Sequence, residues 1–223
     1  MSNTPPLPQT LTPHPVLANI DFAEGPIFDD AGNLYFVNYL GSGTIGRMTP
    51  DGTVSVWVHT GGRVNGLKYD GRGRIVAADH GGKRVTRFDV RTRAMNVLTD
   101  RFKDAPYQGP NDVCLDLIGN IYFSDPGLDD QNEFGPIYRI DVDSDLNPVG
   151  VRCLADKLPH PNGLAVHPDQ QRFYVATSGT NSILAYELSK DGLLSNRRLV
   201  HQFPDPTVDG IQFDEHNRLW VAR

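Results

Sequence analysis

The sequence predicts an all-β fold: a six-bladed β-propeller with about four and a half blades present and its C-terminal part missing. Three observations carry this expectation. Five segments repeat one pattern: Glu24-Gly25-Pro26-Ile27-Phe28-Asp29, Asn65-Gly66-Leu67-Lys68-Tyr69-Asp70, Asn111-Asp112-Val113-Cys114-Leu115-Asp116, Asn162-Gly163-Leu164-Ala165-Val166-His167 and Asp209-Gly210-Ile211-Gln212-Phe213-Asp214. Each opens on a carboxylate or an amide, runs into a short apolar strand and reaches a turn. A second apolar strand follows every one of them, at 33–37, 74–78, 120–124, 172–176 and 218–222. Finally, the opening residues stand 41, 46, 51 and 47 positions apart. A period in the forties with four short strands per unit is the signature of propeller blades.

The first blade takes strands at 25–29, 34–38, 44–48 and 53–58, and the second at 66–70, 74–79, 84–90 and 94–99. The third takes 112–116, 120–125, 136–142 and 149–155, and the fourth 163–167, 172–177, 182–188 and 197–203. β-Branched and aromatic residues with partial alternation mark these strands. Asp30-Ala31-Gly32-Asn33, Pro50-Asp51-Gly52 and Asp70-Gly71-Arg72-Gly73 supply hairpin turns between them. No long segment has a helical period. The fifth blade stops at Arg223, inside its second strand. A closed ring leaves no bare strand edge, so roughly 60–80 residues are expected to be missing at this repeat length. Residues 16–20 read as an outer strand with no blade of its own. The propeller domain is therefore expected over 16–223, behind a disordered or extended segment at 1–15.

With 223 residues, 39% of them hydrophobic and 22% charged, the chain suits one soluble globular core. Its 22 glycines and 17 prolines match a turn-rich all-β repeat. A net charge of −6, with no basic patch interleaved with aromatics, argues against nucleic acid as a partner. No apolar run is long enough to span a membrane. The first 15 residues are polar and hold five prolines, so they do not read as a secretory signal. A cytoplasmic location is expected. Cys114 and Cys153 fall on the first and fourth strands of one blade. Those strands are not neighbours, and two buried thiols are expected rather than a disulfide.

Function is expected at the axis. The innermost strand of a propeller blade begins on the same face as the loop between its second and third strands. Glu24, Asn65, Asn111, Asn162 and Asp209 should therefore face one point, with Asn38, Asp79, His80, Asp125, Ser178 and Asn181 added by those loops. Two carboxylates and two or three amides are hard oxygen donors. They suit Ca²⁺, Mg²⁺ or Mn²⁺ and lack the Cys and His of a structural zinc site. Asn-Gly and Asp-Gly are also ordinary turn pairs, but turn chemistry does not call for a glutamate at position 24. Without a cation, Glu24 and Asp209 would repel one another near a partly buried axis.

Four motifs in order extend this reading. Glu24-Gly25-Pro26, Pro110-Asn111-Asp112 with Tyr122-Phe123-Ser124-Asp125-Pro126, Pro161-Asn162-Gly163-Leu164-Ala165, and Asp209-Gly210 with Leu219-Trp220-Val221-Ala222 resemble the SMP-30/gluconolactonase/luciferin-regenerating-enzyme family. The resemblance runs from about residue 17 to the end. It implies one divalent metal held by Glu24, Asn111, Asn162 and Asp209, with Ca²⁺ the first choice and Zn²⁺, Mg²⁺ or Mn²⁺ the alternatives. It also implies sugar lactones as the usual substrates. The expected chemistry is metal-dependent hydrolysis of a lactone or related cyclic ester. The metal polarises the carbonyl, and Asp209 accepts the proton of the attacking water. Asn65, Asp79, Tyr107 and Asp125 are candidates for contacts with substrate hydroxyls. Two other readings compete: a non-enzymatic propeller that only binds partners, and an arylesterase or phosphotriesterase using the same metal site.

Overall fold

The computed structural model describes residues 14–18, 20, 22–38, 40–126, 134–205 and 207–223. It consists of four-stranded antiparallel sheets strung along the chain. Blade 1 is β1 (Ile27–Phe28), β2 (Leu34–Val37), β3 (Thr44–Met48) and β4 (Val54–His59). Blade 2 is β5 (Val64–Tyr69), β6 (Arg74–Asp79), β7 (Arg84–Asp89) and β8 (Met95–Thr99). A small hairpin, β9 (Arg101–Phe102) and β10 (Ala105–Pro106), leads to blade 3: β11 (Val113–Leu115), β12 (Ile121–Ser124), β13 (Phe134–Val142) and β14 (Pro148–Pro159). Blade 4 is β15 (Pro161–Val166), β16 (Arg172–Thr177), β17 (Ser182–Leu188) and β18 (Leu194–Gln202). β19 (Ile211–Phe213) and β20 (Leu219–Val221) form a two-stranded sheet. In each four-stranded blade, strands pair in chain order. The only helix among the described residues is the 3₁₀ turn Ser178–Thr180, so none is long and apolar enough to cross a membrane.

The core lies between blades rather than within them. Tyr35, Val37, Ile45 and Trp57 of blade 1 pack on Val64, Leu67, Ile75, Ala77 and Phe88 of blade 2. Val76, Ala78 and Val85 pack the opposite way, against Val113, Ile121, Phe123 and Ile140 of blade 3. Cys114, Tyr122, Ile137 and Leu158 meet Leu164, Phe173 and Val175 of blade 4. Ala165, Tyr174 and Ala176 meet Val208 and Ile211. Successive side chains of a strand point to opposite faces. β6 thus gives Ile75 and Ala77 to one seam and Val76 and Ala78 to the next. Burial on both faces is why this strand reads as a continuous apolar run instead of alternating.

The first strands β1, β5, β11, β15 and β19 touch one another in that order, which places them innermost. Four of the five turn into their second strand through a repeated device, and β15 carries His167 at that place instead. Asp29 Oδ1 accepts the amides of Ala31 and Asn33 (3.0 and 2.9 Å), and Asp116 Oδ1 those of Ile118 and Asn120 (3.2 and 2.8 Å). Asp70 and Asp214 do the same for Arg72 and Arg74, and for His216 and Arg218. An aspartate at this place closes the turn by caging amides that the strand ladder cannot reach.

Three expectations are corrected or bounded. Residues 14–18 form no strand and Ile20 makes only an isolated bridge, so the outer strand expected at 16–20 is not formed over its described residues; Asn19 lies outside them. Among the described residues no third strand stands beside β20 for it to pair with. Cys153 is exposed whereas Cys114 is buried, because β14 is the outermost strand of its blade; both thiols are free, as expected. Residues 1–13, most of the segment expected to be extended or disordered, lie outside the described residues.

Candidate metal centre

The five opening residues are positioned by their backbones. Glu24 O accepts from Val37 N (3.1 Å), Asn111 N donates to Ser124 O (2.9 Å) and Asp209 N donates to Ala222 O (3.0 Å), each reaching the far end of its own second strand. Asn65 and Asn162 sit in bulges: the register of β5 on β6 shifts between Val64 and Leu67, and that of β15 on β16 between Pro161 and Leu164. A bulge re-aims the side chain it carries. Glu24, Asn65, Asn111, Asn162 and Asp209 all line one cavity of about 530 Å³.

Glycines let the inner strands close in around it. A Cβ on Gly66 would lie 2.6 Å from Asp112 Oδ1 and 2.9 Å from Asn111 O. One on Gly163 would lie 2.5 Å from Asp209 O. Gly66 N donates to Asn111 O across the seam (2.8 Å). Four blades place glycine after the opening residue; blade 3 places Asp112 there instead. Asp112 Oδ2 accepts from Leu164 N of blade 4 at 3.0 Å, so the aspartate bridges a seam that glycine only clears.

The cavity is overloaded with negative charge. Burial first, then the charges of Asp209 and Asp112, push the Glu24 carboxyl up to about 7. Burial likewise raises Asp112 to about 6, with Asp209 adding to the rise, against the opposing charge of Lys68 and the amides of Leu164 and Val113. Lys68 is the cation on the cavity wall, and its ammonium bonds Gln212 Oε1. The side chains of Asn65, Asn111, Asn162 and Asp209 have no hydrogen-bond or ion-pair partner among the described residues, and Glu24 leans only on the Gly25 amide. Half-buried polar groups without partners, beside surplus carboxylates, fit a hard divalent cation. Among the described residues no three His, Cys, Asp or Glu are placed to hold a metal. A site on this axis must therefore draw on asparagine oxygens.

A model of the SMP-30/Gluconolactonase/LRE-like region family matches residues 22–223. The chain belongs to this family. It is 30% identical over 244 residues to the gluconolactonase of Zymomonas mobilis, across 95% of this chain and 67% of that protein. It is 29% identical over 238 residues to the diisopropyl-fluorophosphatase of Loligo vulgaris, across 93% and 73%. Among solved structures it is similar to a gluconolactonase from Xanthomonas campestris, with a TM-score of 0.81 and 28% identity over 92% of this chain and 71% of that one.

In this SMP-30/gluconolactonase-type chain the other residues expected to meet substrate lie elsewhere. Asp79 is fully buried; its Oδ1 accepts from Arg63 N and Gly82 N (2.8 and 2.9 Å), and its Oδ2 pairs with Arg84 Nε (2.8 Å). Tyr107 is buried against Phe123 and Tyr138 and donates its hydroxyl to Arg101 O (2.8 Å). Asp125 is buried and accepts from Gln108 N and Gly109 N (3.0 and 2.6 Å), bracing the loop that delivers Asn111. Asn65 alone of the four reaches the axial cavity. Asp112 and Lys68 were not among the expected site residues. The signal for Asp112 was the break in an otherwise constant glycine position; Lys68 carried none beyond its place on an inner strand.

Proposed function

We propose that this chain is a divalent-cation-dependent hydrolase that opens sugar lactones or related cyclic esters. The observation that carries this reading is the convergence of five strand-opening oxygen donors on one acidic cavity in a member of a lactonase family. Glu24, Asn111, Asn162 and Asp209 would hold the cation, Ca²⁺ being the first choice for an all-oxygen set. When bound, such an ion supplies Lewis-acid polarisation of the ester carbonyl and charge neutralisation. Asp209 accepts the proton of the attacking water as general base. Asn65 offers both an amide donor and a carbonyl acceptor to a substrate hydroxyl. Asp112, tied to the Leu164 amide, keeps the cavity floor acidic, and Lys68 offsets one of the three carboxylates.

A second reading is favoured by one observation, the 29% identity to a diisopropyl-fluorophosphatase: the same site would act on organophosphate or aryl esters. One experiment tests both. A panel of aldonolactones, aryl acetates and diisopropyl fluorophosphate is assayed after chelation and after adding back Ca²⁺, Mg²⁺, Mn²⁺ or Zn²⁺. The lactone reading expects cation-dependent lactone opening above the other classes. Turnover that survives complete chelation, or no turnover of any ester, would overturn it.

A further inference from the structure

A second cavity, of about 430 Å³, opens beside the axial one and shares two of its walls, Asn65 and Asn111. Its other lining includes Asn38, Ser42, Arg63 and His80. Arg63 differs from many arginines of the blades, which are neutralised where they stand. Arg74, Arg84, Arg139, Arg152, Arg172 and Arg218 each pair with a carboxylate. Arg63 is exposed, and its guanidinium has no ion pair among the described residues. Asp79 does not neutralise it: that carboxylate takes the Arg63 backbone amide and gives its charge to Arg84.

Arg63 is nevertheless held. Its amide is fixed by the buried Asp79, and its carbonyl accepts from Gly81 N (3.2 Å). Its aliphatic stem lies over Gly81, where a Cβ would come within 2.6 Å of Arg63 Cβ and 2.9 Å of its Cγ. Any side chain at 81 would displace the stem. His80 stands next to it on the cavity wall. His80 Nδ1 lies 3.2 Å from Gly109 O, an acceptor only, so this nitrogen carries the hydrogen and donates. In the neutral ring that leaves Nε2 as an acceptor. Burial first, and the Arg63 charge with it, keeps this imidazole below its ordinary value and so neutral near pH 7.

We propose that Arg63 is a specificity-determining residue that receives a carboxylate or phosphate substituent of the substrate, selecting anionic over neutral lactones. The proposal rests on the lactone reading above. A guanidinium presents a planar fork that matches an oxyanion of either kind. Here it stands without a competing carboxylate, in a cavity that adjoins the proposed reaction centre at Asn65 and Asn111. A lactone whose ring carbonyl sits at the axis would extend its charged end into this second cavity. The neutral His80 and the Oδ1 of Asn38, whose Nδ2 already donates to Phe22 O, line the same cavity as acceptors for substrate hydroxyls.

The test compares three lactones with the cation-loaded protein: D-glucono-δ-lactone, its 6-phosphate and D-glucaro-1,4-lactone. Wild type is expected to favour at least one anionic lactone over the neutral one in kcat/KM. The two charged substrates separate phosphate from carboxylate. Arg63→Gln is expected to reduce that preference roughly 10–100-fold, the range for losing a charge-assisted pair, mainly through KM; Arg63→Lys should keep part of it. Calorimetric titration with glucuronate, glucose 6-phosphate and glucose reads the same subsite without chemistry. If no lactone is opened but a charged sugar binds and Arg63→Gln abolishes it, the lactone reading fails and the anion subsite stands. If neutral and anionic lactones are opened alike, or Arg63→Gln leaves their ratio unchanged, the subsite is wrong and the lactone reading stands. Absence of both turnover and charged-sugar binding removes both.

Discussion

Replacing Glu24 with glutamine should stabilise the cation-free protein while it disables cation binding. The Glu24 carboxyl is raised from 4.5 to about 7, by burial and by Asp209 and Asp112. At 1.36 kcal/mol per unit, ionising it in the folded state costs about 3 kcal/mol at face value, and about half that for a side chain still partly screened by water. Because the folded value is raised, the protonated form is the one the fold favours. The loss of stability begins as pH rises past the unfolded value near 4.5 and is complete above about 7. Glutamine is neutral and nearly isosteric, so it escapes this loss. In EDTA at pH 8.5, Glu24→Gln is expected to melt roughly 3–6 °C higher than wild type, using the slope for a domain of this size. At pH 4.5 the difference should shrink to about a few tenths of a kcal/mol. With Ca²⁺ at a hundred times its dissociation constant the order reverses, since wild type gains about 2.7 kcal/mol and the variant little. Equal or lower melting of Glu24→Gln in EDTA at pH 8.5 would mean that the cavity does not strain this charge, and the argument for a cation there would lose its electrostatic basis.

Asp209→Asn should keep the fold and lower lactone kcat by about 10²–10⁴, the usual loss of a general base, with a smaller loss of cation affinity than Glu24→Gln shows; steady-state kinetics with a cation titration separates the two. Gly66→Ala drives a methyl against Asp112 and the Asn111 carbonyl, so denaturant unfolding should show a loss of about 1–3 kcal/mol, and cation binding should weaken as Asn111 is displaced. The turn aspartates Asp29 and Asp214 are held below their ordinary values. The largest single influence on each, burial, acts upward, but the bonds from Asn33, Tyr35 and Ala31, and from Trp220, Arg218 and His216, outweigh it. Their contribution is present above the usual aspartate value and should be lost as pH falls below about 4, a stretch of the acid-unfolding curve that Asp29→Asn should flatten.

The repeated half-blade was legible because the second strand of each four-stranded blade is buried on both faces and follows a turn whose chemistry recurs. Outer strands were read less well. β14 runs from Pro148 to Pro159, well past the expected 149–155, and the hairpin Arg101–Pro106 was not foreseen. These parts are half exposed, and their polar residues follow no period. At the axis, Glu24, Asn65, Asn111, Asn162 and Asp209 were readable from position alone. Asp79, Tyr107 and Asp125 were not: their backbone partners Arg63, Arg101 and Gly109 stand 16, 6 and 16 positions away. Nothing local to those side chains announces such partners. Arg63 was hidden for the opposite reason, since its significance lies in a partner it lacks.

The double-sided strands set limits on how this molecule can change. Ile75 and Ala77 of β6 answer to blade 1, while Val76 and Ala78 answer to blade 3. A blade cut out at its loops and replaced by one from a relative would therefore bring two mismatched seams with it. The interchangeable part is the seam: the rear face of one sheet together with the front face of the next. Recombination between homologues should succeed when both faces of a seam come from one parent, more often than when a single blade is exchanged at the linkers where the modules look separable by eye.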